Sequence, residues 1–342
     1  MNKPNLFGLN LYIEDIRYLK ESLQSIVADE NTFKVDVQLI LFDTICDDHT
    51  SHLCQLYQQK FPENITCIEM RDASIAECYN KALALNSSLY LNFINSSTIF
   101  GHQTFAQIKK FLHHDHTGLF AMHTKFFDSD KGIKDSVKNK QSKYNLKENL
   151  FYLPLFMERY FISKDIIADM VFRDELHEDC TKEVLLRCLK CQEEVTIVKK
   201  TCIYYCNAQE RSLLRFPYQT MRWWYLDQMR DLIIPHLKEL HEEGAIPIHM
   251  QALLLYLIEI KFYFNRNMRY KYIIRKDEVD IFYELVQHAL SYIDSEVILK
   301  NSVRKIAPAY FCFQLIRIKN NQGNLLPEIK QADDGQDRKS VV

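Results

Sequence analysis

Several groups of side chains in this 342-residue chain have types and spacings that could support chemistry. Cys188-x2-Cys191 and Cys202-x3-Cys206 form two close thiol pairs, and four thiolates converging on one ion would make a structural zinc centre. The first pair falls at a predicted helix end and the second along one face of a predicted strand, so buried, reduced thiols are the expected state. His113, His114 and His116 gather around Asp115, as metal ligands can, but the dipole of a helix C-terminus favours imidazoles by itself. Trp223, Trp224 and Tyr225, beside Arg222, could stack on a pyranose ring. At helical spacing such aromatics more often pack between a helical piece and a neighbouring domain. The basic-aromatic run Lys261–Lys276, KFYFNRNMRYKYIIRK, could touch an anionic membrane surface or a polyanionic polymer, or form a solvated turn with snorkelling stems.

The elements that would position such groups follow from apolar patterning. Leu6–Tyr12 reads as a strand, followed by a helix over Glu14–Ala28 with Ile16, Leu19, Leu23 and Ile26 on one face. Val37–Asp43 is a continuous apolar run ending in an acid, the pattern of a strand buried on both faces. Asp48 is placed to cap a helix through Lys60; Ile65–Glu69, Ser74–Leu85 and Leu89–Ile94 then read as strand, helix and strand. This alternation predicts βαβ units and a mostly parallel sheet, in which ligands bind beyond the carboxyl ends of the strands. Asp43 and the segment Asn95–Thr98 lie at those ends.

Further on, a helix (Thr104–His113) and an apolar segment (Leu119–Phe127) precede a charged stretch, Asp128–Lys147, expected to be a solvated loop. Tyr160–Phe172 reads as a strand and a short helix, Cys180–Lys190 as a helix and Glu194–Cys206 as a strand. Beyond Pro217 the pattern is helical: Tyr218–Glu243, Pro247–Phe264 after the Gly244 stop, and Asp277–Ile293. The expected organisation is an α/β domain over 1–211, a helical domain over 217–320 and a disordered tail over 321–342. The last six residues, Asp337–Val342, read like an in-frame sequencing adapter, so the natural protein is expected to run on past Gln336.

Composition narrows the class. The chain is 47% apolar and 26% charged, with 43 Lys and Arg against 45 Asp and Glu, which argues against nucleic-acid binding through bulk charge. No window of about 18 uninterrupted apolar residues is present, and the N-terminal apolar run is too short for a signal peptide. Ten cysteines without an export signal fit a reducing, cytoplasmic setting. No Walker loop, GxGxxG fingerprint or GxSxG elbow occurs, which weakens kinase, dehydrogenase and hydrolase readings.

Leu39–Ser51, LILFDTICDDHTS, resembles the strand and turn VDDGSTDNS that open family 2 glycosyltransferases. Asp72–Ala82, DASIAECYNKA, is similar to that family's NxGxSxARNKG, and Tyr90–Thr98, YLNFINSST, to its strand ending in LDSDD. Phe172–Leu189, FRDELHEDCTKEVLLRCL, is similar to F-x-x-x-L-x-x-x-ED followed by a helix, and order and spacing agree over residues 5–206. The stretch 217–320 looks like the helical linker behind such a domain in bacterial teichoic-acid-type polymerases, where a glycerophosphotransferase domain follows.

The resemblance implies a GT-A-like α/β fold followed by an all-helical region. It implies an inverting hexosyltransferase that moves a sugar from a nucleotide donor, a UDP-sugar above all, to a cell-surface polymer or lipid-linked acceptor. The place implied is the cytoplasm, at the inner face of the membrane. Asp179 would be the base and Glu178 its charged neighbour; Asp43, Thr44, Asp72, Asn80, Lys81, Asn95 and Ser97 would line the donor site. The same residues show erosion: Thr44 replaces an acid, Tyr79 an arginine, and Asn95 and Ser97 the two aspartates of the D-x-D pair. The basic position after the family's YYYR string is Cys206. Neutral amide and hydroxyl oxygens hold Mg²⁺ or Mn²⁺ far more weakly than carboxylates do, so a metal is expected to bind weakly here. Lys81 is the nearby cation that could stand in for it. The alternative function is a catalytically inactive domain that scaffolds a polymerase or binds polymer for it.

Overall fold

A computed structural model describes residues 4–128, 132–135, 142–146, 155–206, 223–266, 276–303 and 309–321. The chain divides into two compact units: residues 1–145 with 154–211, and residues 146–153 with 212–342.

The first unit is built on one ten-stranded sheet. Its parallel part comprises β1 (Phe7–Ile13), β2 (Val37–Asp43), β3 (Ile65–Glu69) and β4 (Tyr90–Asn95) in the order β3-β2-β1-β4. The crossovers are helices: α1 (Leu19–Ile26) and α2 (Glu30–Asp36) between β1 and β2, α3 (Asp48–Lys60) before β3, and α4 (Ile75–Leu85) before β4. After β5 (Thr98–Phe100) and α5 (Thr104–Leu112) come β6 (Leu119–Asp128), β7 (Gly132–Asp135), β8 (Ser142–Asn145) and β9 (Tyr160–Ser163). Beyond α6 (Lys164–Ile167) and α7 (Cys180–Lys190), β10 (Glu194–Cys206) completes the order β4-β9-β6-β10-β5. The sheet is therefore mixed, because β9 runs antiparallel to both β4 and β6.

Burial explains which runs became strands. Phe7, Leu9, Leu11, Ile13, Leu39 and Leu41 are all fully buried in one core with Phe33, Ile94, Phe105, Phe120 and Phe161. Phe120 stacks on Phe161 at 5.4 Å, joining β6 to β9 across that core. Deep in the parallel part, Asn10 donates to the Asn92 carbonyl at 3.2 Å and accepts from Asn86 at 3.1 Å. Asn86 in turn receives the Ser88 N–H, so this buried polar group is satisfied. Gly8 leaves the room this arrangement needs, since a Cβ there would lie 2.3 Å from Asn86 Oδ1.

Several sequence expectations are corrected. The helix expected over Glu14–Ala28 is α1 alone, and a second helix, α2, follows after Asp29 accepts from Thr32 N–H as its cap. The cap of α3 is Asp47, whose carboxylate accepts from Thr50 N–H at 2.6 Å; Asp48 is the first residue inside the helix. The charged stretch expected as a loop contains β7 and β8, which pair with β6 and β10. Lysines at sheet edges are compatible with strand pairing because one face stays in water.

The second unit is described by itself. A π-helix over Trp223–Ile233 leads into helices Ile234–Glu243, Ile248–Arg266, Lys276–Ser291, Ser295–Val303 and Ala309–Lys319. Trp224 and Tyr225 are buried inside this unit, Tyr225 against Phe282 at 5.7 Å. Buried in this way, neither ring is an exposed platform for a sugar. Lys261 is fully buried there, with its ammonium 4.4 Å from the centre of the Trp224 ring and donating to the Trp224 carbonyl at 2.6 Å. The rest of the basic-aromatic run and the tail lie largely outside the described residues.

Gly8→Ala is expected to lower unfolding free energy by about 1–3 kcal/mol through overpacking against Asn86. Urea denaturation followed by circular dichroism measures it. An unchanged midpoint would show that Asn86 can turn away without loss.

Candidate active site at the strand tips

The β2 end supplies the first wall. Asp43 is 1% exposed, and its carboxylate accepts from the N–H groups of Ile45 and Cys46 at 3.1 and 2.8 Å and from Ser51 Oγ at 3.0 Å. It closes its own turn, where Cys46 takes a φ of 52°. Thr44 Oγ1 donates to the Ile13 carbonyl at 2.7 Å, fastening this turn to β1. Asp72 N–H donates to the Thr44 carbonyl at 3.0 Å, so Asp43, Thr44 and Asp72 come together through their backbones. Arg71 reaches over the turn to the Cys46 carbonyl at 2.9 Å.

Helix α4 supplies the floor. Its N-terminus carries a capping box, with Ser74 accepting from Glu77 N–H and Glu77 accepting from Ser74 N–H. Tyr79, at the position where the family carries arginine, is buried; its hydroxyl donates to the Ile94 carbonyl at 2.9 Å and its ring packs on Phe93 and Phe172. Asn80 holds the backbone of Phe172 by two reciprocal hydrogen bonds, each 2.8 Å. Its amide thereby ties α4 to the segment that leads to Glu178-Asp179. Lys81 is exposed on the same helix.

At the β4 end, Asn95 Oδ1 accepts from Ser97 N–H at 3.1 Å, Ser97 Oγ at 2.8 Å and Thr98 Oγ1 at 3.2 Å. Its Nδ2 donates to Glu158 Oε1 at 3.4 Å. Glu158 arrives on a 3₁₀ turn, Met157–Arg159, whose carbonyl at Glu158 accepts from Asn92 Nδ2 at 3.0 Å. The same Asn92 amide also donates to the Tyr160 carbonyl at 2.7 Å. These residues do not fit a divalent cation. The amide oxygen is already saturated, and among the described residues no three His, Cys, Asp or Glu side chains could hold a metal ion together.

The last wall is a second 3₁₀ segment, Asp174–Asp179, in which His177 adopts φ 51° and ψ −129°. That conformation is one L-residues rarely take and costs about 1–3 kcal/mol. Asp179 follows it at the head of α7, only 1% exposed. Its carboxylate makes no cap hydrogen bond with α7; it pairs instead with the Lys182 ammonium. Glu183, one residue further on, is 2% exposed and held by Arg173 and Arg187, each at 3.1 Å. Tyr12, at the end of β1, links the walls. Burial pushes its phenol up to about 12, with the charges of Glu14 and Glu178 adding to the rise. Burial likewise raises Tyr79, with Glu158 and Glu14 contributing. The tips of β1, β2 and β4 and the Glu178-Asp179 segment thus share one end of the sheet.

Sequence reasoning did not single out Tyr12, Glu158 or Lys182. The i,i+3 spacing of Asp179 and Lys182 on a helix start was the readable signal for one pair. Glu158 had none, because its place depends on Asn92, distant in sequence.

Comparison with known proteins bears on this geometry. No protein-family profile matches the sequence. Over 323 residues the chain is 21% identical to the minor teichoic acid biosynthesis protein GgaB of Bacillus subtilis strain 168, covering 89% of this chain and 34% of GgaB. It is 19% identical to GgaA of the same organism, covering 92% of this chain and 71% of GgaA. The crystal structure of S. aureus TarS 1-349 superposes with a TM-score of 0.66 at 12% identity, covering 92% of this chain and 87% of that one. The chain has the fold of a GT-A-like glycosyltransferase with its helical extension. TarS 1-349 has also been crystallised with UDP and with UDP-GlcNAc, at TM-scores of 0.65 and 0.67 to this chain. The likeness to TarS agrees with the GT-A-like fold that the strand-end motifs imply. The chain spans about a third of the length of GgaB, 34%. No described helix is long and apolar enough to cross a membrane.

Lys182→Met removes the cation beside a buried carboxylate and should cost about 1–3 kcal/mol in urea unfolding. Most of that loss should vanish in the double variant Lys182→Met with Asp179→Asn. Strictly additive losses would show that the pair is not coupled.

Proposed function

We propose that this chain transfers a sugar from a nucleoside-diphosphate donor to a teichoic-acid-type polymer or its lipid-linked precursor. The observation that carries the reading is Asp179: a carboxylate only 1% exposed, held by a lysine instead of capping its helix, at the end of the sheet where the β1, β2 and β4 tips meet. The names of GgaB and GgaA support the acceptor class, and the ligands crystallised with TarS support a UDP-sugar as donor.

In this reading the acceptor hydroxyl attacks the anomeric carbon from the side opposite the diphosphate, giving inversion in one displacement. Asp179 takes the hydroxyl proton as the new C–O bond forms, and the bond from the anomeric carbon to the diphosphate oxygen breaks. Lys182 must yield its contact with Asp179 for that transfer. The nucleotide would lie along the Asp43–Thr44 turn. Since the Asp43 carboxylate is occupied by its own turn, the exposed surface of that turn, with Arg71 and Asp72, meets the base and ribose. A lipid-linked acceptor would place the work at the inner face of the membrane.

Calorimetry with UDP-GlcNAc, paired with a transfer assay on polymeric acceptor, tests the reading. Asp179→Asn should reduce transfer by about 10²–10⁴-fold, the usual scale of a general base, while donor affinity stays within about twofold. No binding heat at millimolar donor with folded protein, or a retained rate in Asp179→Asn, would overturn it.

A further inference from the structure

Where a D-x-D pair would present anionic oxygens at the tip of β4, this chain presents a closed hydrogen-bond hub. The Asn95 oxygen already receives three donors, from Ser97 N–H, Ser97 Oγ and Thr98 Oγ1, and a carbonyl oxygen has two lone pairs. The orientation of the amide is fixed by the backbone N–H of Ser97, which can only donate, so the nitrogen must lie on the side away from Ser97. That nitrogen carries the wrong polarity for a cation, and it faces a carboxylate that accepts from it: Glu158 Oε1, at 3.4 Å. Glu158 is brought there by a turn that Asn92 pins from inside the sheet at 3.0 and 2.7 Å. The second D-x-D position, Ser97, points its hydroxyl back into the same hub and is 7% exposed. The group at this position is a donor, and the neighbouring acid accepts from it.

We infer that the β4 tip has lost its role as a cation site and that this chain binds its donor diphosphate without a divalent ion there. The charge of the leaving diphosphate is then met by fixed N–H groups and side-chain cations, which act without an ion when they are preorganised. Asn95 presents an N–H donor in place of a metal ligand, and Glu158 accepts one of its two hydrogens. This inference rests on the donor reading above but concerns a different property, the ion requirement.

Two readouts separate the inference from that reading. Manganese electron paramagnetic resonance on the protein alone reports ion binding whether or not nucleotide binds, and calorimetry of UDP with millimolar Mn²⁺ or with EDTA reports coupling. The wild-type chain should leave the Mn²⁺ signal that of the free ion and should bind UDP with affinities equal within about twofold in the two buffers. Asn95→Asp, which sets a second carboxylate beside Glu158, should gain Mn²⁺ binding and at least about tenfold tighter UDP binding with the ion, equivalent to about 1.4 kcal/mol. Adding Glu158→Gln to Asn95→Asp should reverse most of that gain. Mn²⁺ that binds the wild type and is lost in Glu158→Gln, or a tenfold Mn²⁺ enhancement of UDP binding to the wild type, would overturn the inference. Absence of UDP binding in both buffers would instead defeat the donor reading, and the resonance measurement would still decide the ion question.

Discussion

The reciprocal pair of hydrogen bonds between Asn80 and the backbone of Phe172 holds the two halves of the site in register. Asn80 belongs to the parallel half of the sheet's architecture, whereas Phe172 begins the segment that ends in Glu178-Asp179. A side-chain amide that accepts and donates to one residue's backbone fixes distance and rotation together, as a strand pair does. Around it the aromatic cluster of Tyr79, Phe93 and Phe172 excludes water, which strengthens those bonds. The position of Asp179 follows from this contact: moving Phe172 would carry the whole lead-in with it.

A common theme at the strand ends is that polar groups satisfy the fold before they could serve a ligand. The Asp43 carboxylate closes a turn, the Asn95 oxygen closes another, and the Asn80 amide binds backbone. Asp179 differs, since its carboxylate pairs with the long side chain of Lys182. Glu14, Glu158 and Glu178 lie close enough to raise the phenols of Tyr12 and Tyr79, in each case behind the larger effect of burial.

Much of the first unit was legible from the sequence. Val37–Asp43 read correctly to its ends because a strand buried on both faces produces an uninterrupted apolar run; Glu194–Cys206 also read to its ends, on its β-branched and aromatic residues, although Lys199 and Lys200 are exposed where its register with β6 shifts. The short edge strands β7 and β8 did not, since lysine-rich edges look like loops to any periodicity test. The division of the first helix was hidden because Ser25–Asp29 lacks a proline or glycine; the Asp29 cap is visible only once Thr32 N–H is seen to reach it. At the site, residue types were readable and orientations were not. Asn95 was recognisable as a replaced aspartate, but which end of its amide faced outward depended on Ser97 and Thr98. Asp179 stands at the head of α7, but that its carboxylate would pair with Lys182 and make no cap hydrogen bond was not written in its position. Trp224 and Tyr225 showed helical spacing, yet nothing in that spacing told which unit they would pack in.

His177 has a consequence for how this region can change over evolutionary time. A residue held at positive φ two positions before a buried acid is an elastic element under tension, and glycine would release it. The released chain would sample more shapes, and the acid behind it would no longer point in one direction. Drift at position 177 is therefore constrained from two sides: bulky or β-branched residues raise the strain, and glycine slackens the tether.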